Sequence, residues 1–142
     1  MKKLILLFIL ITGLQYSSKA QVDIQLNPIA ILFEALQLSV EFPIKQNGGV
    51  ELDIIGGAGE FGLIGIGKYY MRPEYGADRF FIGAFAGALS DSGGGFGFIT
   101  GYKWLSAQGV NFELALGIGR GLGDIEVFPY GKLTVGYRFG NK

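Results

Sequence analysis

The 142-residue chain contains no cysteine and no histidine. Without cysteine there is no disulfide framework and no thiolate nucleophile. Without histidine the commonest general base and metal ligand is missing. Proline is scarce, with four residues, and tryptophan occurs once. Net charge is absent too, since 12 Lys+Arg balance 12 Asp+Glu. That balance removes the electrostatic basis for binding nucleic acid.

Glycine is abundant, with 25 residues, and hydrophobic residues make up 49%. A glycine inside a helix costs about 1 kcal/mol relative to alanine. Beyond residue 20 glycines recur so densely that no window of ten offers a clean helical stripe, and no stretch there is long and apolar enough for a transmembrane helix. The composition predicts an all-β chain.

The first 20 residues read differently. Met1-Lys2-Lys3 precedes an almost unbroken apolar run, Leu4 to Leu14, and Ser18-Lys19-Ala20 follows with small residues at its first and third positions. The run is too short to cross ~30 Å of hydrocarbon, which takes about 20 residues. A basic start, a short apolar run and a small-x-small site predict a Sec-type signal peptide over residues 1–20, cleaved after Ala20. Residues 21–142 are expected to form one domain. Loss of Lys2, Lys3 and Lys19 leaves that domain 9 basic and 12 acidic residues, a net charge of −3.

Period-2 alternation marks eight strands in that domain. They are expected at about Asp23–Phe33, Leu36–Ile44, Val50–Gly57, Phe61–Met71, Arg79–Leu89, Phe96–Leu105, Val110–Gly119 and Gly131–Phe139. The seventh alternates most cleanly, with Val110, Phe112, Leu114, Leu116 and Ile118 opposite Asn111, Glu113, Ala115, Gly117 and Gly119. Short turns join the strands, among them Lys45-Gln46-Asn47-Gly48-Gly49, where Asn-Gly favours a hairpin. Eight strands of about ten residues predict an antiparallel up-and-down meander closed into a transmembrane β-barrel.

Two residue sets follow from that expectation. The polar face would carry Glu41, Glu51, Asp53 and Glu113 against Lys68, Lys103, Lys132 and Arg138, which pair across a lumen narrow enough for side chains to fill. The apolar face would end in a girdle at the periplasmic interface: Phe42, Tyr69, Tyr70, Tyr102, Trp104, Tyr137 and Phe139. Phe33, Phe61, Phe96 and Phe128 would mark the opposite rim.

Motifs of other classes fail on context. Gly57–Gly62 spells G-x-G-x-x-G and Gly62–Lys68 spells G-x-x-x-x-G-K, but neither opens a helix, and Tyr69 stands where Ser or Thr would hold Mg²⁺. Glu51 and Asp53 share a strand face as a carboxylate pair might, yet cations are expected beside them. Asp91, Asp124 and Glu126 are rim-loop acids suited at most to weak Ca²⁺ binding. No catalytic residue, metal site or cofactor is expected.

Three strand ends, Lys68-Tyr69-Tyr70, Gly101-Tyr102-Lys103-Trp104 and Gly136-Tyr137-Arg138-Phe139, resemble those of small OmpA/OmpX-like outer-membrane barrels of an uncharacterised exported subfamily. The resemblance covers about residues 21–142. It implies an outer-membrane location, lipid as the surrounding partner and insertion by the barrel-assembly machinery, which reads an alternating C-terminal strand ending in an aromatic. Gly140-Asn141-Lys142 departs from a terminal Phe. A monomer with a structural or envelope role is expected. The alternatives are a soluble periplasmic barrel around an apolar ligand, a lipid-modifying enzyme, and a small pore.

Overall fold

A computed structural model describes residues 2–15, 21–57, 59–90, 93–122 and 126–140. The expected cleavage site at Ser18–Ala20, Asp91, Asp124 and Asn141–Lys142 lie outside the described residues. The chain begins with helix α1 (Lys2–Gln15), which has no acid in its first turn. No described helix is long and apolar enough to cross a membrane.

The rest is a closed antiparallel barrel in chain order: β1 (Val22–Leu26), β2 (Ala35–Ile44), β3 (Gly48–Gly57), β4 (Glu60–Tyr70), β5 (Arg79–Leu89), β6 (Gly93–Leu105), β7 (Val110–Gly121) and β8 (Val127–Phe139). Closure is made by β1 against β8, from Val22 opposite Phe139 to Leu26 opposite Val135. Every strand thus has a neighbour on both sides over at least part of its length.

The expected strand Asp23–Phe33 is split. It stops at Leu26, and Pro28–Leu32 forms a short helix, α2. Proline cannot donate to a ladder but suits the first turn of a helix. Asn27 caps that turn, its Oδ1 accepting from the amides of Ile29 at 3.0 Å and Ala30 at 3.2 Å. In the β2–β3 turn, Lys45 rather than the Asn-Gly pair takes the left-handed conformation, with φ 59°. Asn47 instead donates its side-chain amide to Tyr70 O at 3.0 Å.

Alternation is regular along most strands and turns the apolar residues outward. On β7 Val110, Phe112, Leu114, Leu116 and Ile118 are exposed while Asn111, Glu113 and Ala115 are buried. The interior is not polar all round. Ile64, Ile66, Phe81, Phe85 and Ile99 of β4–β6 make an apolar wall, with Tyr70, Ala77 and Ala115 beside it. The barrel end where β1 begins and β8 finishes is called the terminal end below, and the other the far end.

Gly136 sits at the closure. A Cβ there would meet the carbonyl oxygen of Ile24 and lie 2.6 Å from Gln25 Cα. Backbone cannot move aside as a flexible side chain can. Gly136→Val is expected to destabilise the folded barrel by about 1–3 kcal/mol. Gly56→Ala, with nothing within 4 Å of its Cβ, should leave the unfolding midpoint in place. Denaturant titration followed by circular dichroism reads the contrast.

Candidate functional site

Polarity inside the barrel follows from strand register. Asp23 lies opposite Glu41, and Glu41 opposite Glu51. Three neighbouring strands therefore place like charges side by side, which is unfavourable without compensation. The cations come from β4, β6 and β8; the lysines reach into the lumen, and Arg138 faces Asp23 across the closing pair of strands.

Lys68 Nζ lies 2.5 Å from Glu51, 2.8 Å from Glu113 and 3.5 Å from Glu41. Lys103 bonds Glu41 and lies 2.8 Å from Asp23. Lys132 bonds Glu51 and lies 3.4 Å from Asp53. Arg138 grips Asp23 with two nitrogens, Nε at 2.5 Å and Nη2 at 2.8 Å. All eight charges expected on the inward face are thus buried and interlinked.

Asp23 makes a fifth carboxylate, which the sequence reading passed over. Its alternation with Gln25 between Val22, Ile24 and Leu26 is the signal that places it inward. Five acids then face four bases, and two phenols serve the excess. Tyr70 donates to Glu41 at 2.5 Å and Tyr130 to Asp53 at 2.9 Å.

Tyr70 is therefore not part of the interface girdle. It is fully buried, and adjacent strand residues point to opposite faces, so Tyr69 is outside and Tyr70 inside. Gly49 makes room for it, since a Cβ there would be 3.3 Å from the Tyr70 ring and would strike the Glu41 carboxylate. Phe128 is corrected on the same principle. β8 begins at Val127, and even-numbered residues of that strand face inward. The Phe128 ring packs 6.3 Å from that of Phe85 instead of marking a rim.

The other six girdle residues, Phe42, Tyr69, Tyr102, Trp104, Tyr137 and Phe139, point outward at the terminal end. Trp104 stacks at 4.6 Å from Tyr102 and 5.3 Å from Phe112, and Tyr137 lies 5.0 Å from Phe139. Phe33, Phe61 and Phe96 are exposed at the far end.

The 71–78 loop closes the terminal end. Ala77 is fully buried. Arg138 donates to Gly76 O at 2.5 Å and Ala77 O at 3.1 Å. The Asp78 carboxylate accepts from the amides of Glu74, Tyr75 and Gly76. Towards the far end, Gln37 links Asp53 at 3.1 Å, Tyr130 at 3.3 Å and Asn27 at 2.8 Å.

Carboxylate oxygens of Glu41, Glu51 and Glu113 lie within 4.8 Å of one another, a spacing that suits a metal ion. The Lys68 ammonium already contacts all three. It supplies the positive charge at the point where a cation would sit, so the cluster is an ion-pair node. Glu51 and Asp53, the tempting carboxylate pair, are both engaged by Lys132. The G-x-G-x-x-G stretch crosses the β3–β4 turn and leads into β4. Glu126 lies in the β7–β8 connection, at the far-end mouth. No family model, curated protein or solved structure matches the chain.

Breaking a buried pair by removing one partner leaves an uncompensated charge and costs about 3–5 kcal/mol. Lys68→Met, which strips the shared cation from three glutamates, is expected to lose that much stability. Arg79→Ala is the matched control. Arg79 pairs with Glu74 at 3.2 Å on the surface, with both side chains about half exposed, and the change should be worth under about 1 kcal/mol. Equilibrium unfolding of both variants in urea measures the difference.

Proposed function

We propose that this chain is an integral outer-membrane β-barrel protein of the OmpA/OmpX-like kind, exported on residues 1–20, with a structural role in the envelope and no catalysis. One observation carries the reading: the polarity of the barrel is inverted. Outside, Leu52, Ile82, Phe98, Leu114, Leu116 and Ile118 are all exposed, whereas nine charged side chains of the described strands are buried inside. A soluble barrel around an apolar ligand needs the opposite arrangement. In water, contiguous apolar surface beyond a few hundred Å² marks an interaction site, and here it wraps the wall. Lipid is the partner that fits a belt on all sides.

Dimensions agree with this. Strands β2–β8 run from 10 to 13 residues, and a tilted membrane strand needs about 9–11. Among the described residues every outward-facing tyrosine and the tryptophan sit at the terminal end. Amphipathic rings favour the headgroup level, so that end is assigned to the periplasmic interface. With an even strand number both barrel termini fall on that side.

The lumen is proposed to be sealed. The 71–78 loop closes it below, the ion pairs cross its middle, and the Phe85, Phe128 and Tyr130 rings lie above, 5.0 Å separating Phe85 from Tyr130. Membrane fractions should therefore hold a protein that runs at one mobility in cold SDS and shifts on boiling. The same protein in planar bilayers should give no steady conductance. A soluble periplasmic protein without a heat-dependent shift overturns the membrane reading, and steady channels overturn the sealed lumen.

A further inference from the structure

The far end of the barrel differs from the rest in two ways that coincide. The first is a cavity of about 640 Å³ at its mouth, within the ~300–1,000 Å³ range of small-molecule sites. Its deeper wall is apolar, with Ile55, Ile64, Phe85, Leu122, Phe128 and Tyr130 and glycines between, while Glu126 adds a carboxylate at the mouth. Pockets that are mostly apolar with a few polar groups suit an amphipathic guest.

The second is a seam in the wall. β1 ends at Leu26, opposite Leu38 of β2 and Val135 of β8. Residues 35–37 of β2 and 127–134 of β8 therefore have no strand partner on the β1 side, although β8 pairs with β7 as far as Val127. Helix α2 lies against both β2 and β8 in this gap. Among the described residues three polar links meet in it: Asn27 N–H donates to Gln37 O at 3.1 Å, the Asn27 side-chain amide donates to Gln37 Oε1 at 2.8 Å, and Gln37 donates to Tyr130 Oη at 3.3 Å. In hydrocarbon, backbone outside a regular ladder is tolerated where it is buried in protein, and α2 lies against it here. Phe128, Pro129 and Tyr130, which line the cavity, belong to the unpartnered stretch of β8, and Pro129 brings no N–H to it.

We propose that this vestibule binds one acyl chain of a membrane phospholipid, admitted from the bilayer through the seam between β8 and α2. The inference rests on the membrane reading. It goes further in giving the barrel a ligand, a site and a route. The route selects the ligand, because the acyl chain is the apolar group present in the phase on which the seam opens. Exposed Ile29, Ile31 and Leu32 of α2 place that lip of the seam in the same apolar phase. Displacing a short helix secured by few polar contacts disturbs no strand pairing.

The test is photolabelling in bilayer nanodiscs. Protein purified from membranes is reconstituted with phosphatidylcholine carrying a diazirine on one acyl chain, irradiated, and mapped by peptide mass spectrometry. Labels are expected on outward residues such as Phe98 and Leu116 and also on Phe85, Leu122 and Phe128. Gly121→Phe fills the vestibule, since a Cβ there meets nothing nearer than 3.9 Å; it should remove the vestibule labels and keep the outward ones. Outward labels alone in the unmodified protein overturn the site and leave the membrane reading standing. Absence of both sets overturns the membrane reading itself. Vestibule labelling by a free diazirine fatty acid but not by the phospholipid overturns the lateral route. The map of the unmodified protein decides the matter even where the variant does not fold.

Discussion

Nine charges on the described strands, buried inside one small barrel, set the terms for everything else in this structure. Several of their pairs join strands that are not neighbours. Lys103 meets Glu41 and Asp23 from across the lumen, and Lys132 meets Glu51 from the far side of the chain. Along β1–β3 the acids lie beside acids, so that half of the sheet is electrostatically unfavourable alone. It becomes tolerable only when β4, β6 and β8 curl round to face it. Closure and neutralisation are therefore one event. Buried ion pairs seldom stabilise more than a well-packed apolar core would. What this network supplies is exclusivity: a shifted register would turn lysines and glutamates outward and leucines such as Leu52 and Leu114 inward together.

The apolar wall of β4–β6 makes the lumen asymmetric. Phe81 lies 5.4 Å from Tyr70 and carries the Lys68 ammonium 4.6 Å above its ring. Aromatic faces attract a cation without adding a carboxylate, so the wall supports the central lysine where no further acid is present. Layers follow along the axis. The Arg138 clamp on the 71–78 loop seals the terminal end, carboxylates and lysines fill the middle, and Phe85, Phe128 and Tyr130 line the far end. The paired lysines and glutamates of the middle layer have no exposed side-chain surface, and such burial strengthens each pair electrostatically.

Much of this was legible in the alternation of side chains. Strand number, meander order and the inward facing of eight charges follow from a period of two and from turn residues. Three things did not. Helix α2 was hidden because five residues are too few for a helical period, although Asn27-Pro28 is a cap followed by a first-turn proline. Tyr70 and Phe128 were misplaced because a strand end was read by residue type instead of by parity counted from Lys68 and Lys132. The partners of Lys103 and Lys132 were not readable. They depend on curvature and stagger, which bring residues of distant strands together and leave no trace in local spacing, whereas Arg138 and Asp23 simply face each other across the closing pair of strands.

The shortness of β1 is the one place where the closed sheet relaxes its own rule. A full-length first strand would pair with β8 up to Val127 and complete the ladder, and Pro28 prevents it by withholding a donor and turning the chain into α2. The ladder is thus kept whole at the terminal end, where Val22–Leu26 carries the Asp23–Arg138 clamp, and interrupted at the far end, where Gln37, Tyr130 and Lys132 of the flanking strands all reach Asp53. The interruption does not avoid the charges: Lys132 lies on the unpartnered stretch of β8 and is held from the lumen side by Glu51. Nearer the mouth Phe128 and Tyr130 face inward beside Phe85, and α2 lies against β2 and β8 where a strand would stand. Side-chain links across the lumen therefore hold this part of the wall where ladder hydrogen bonds are missing.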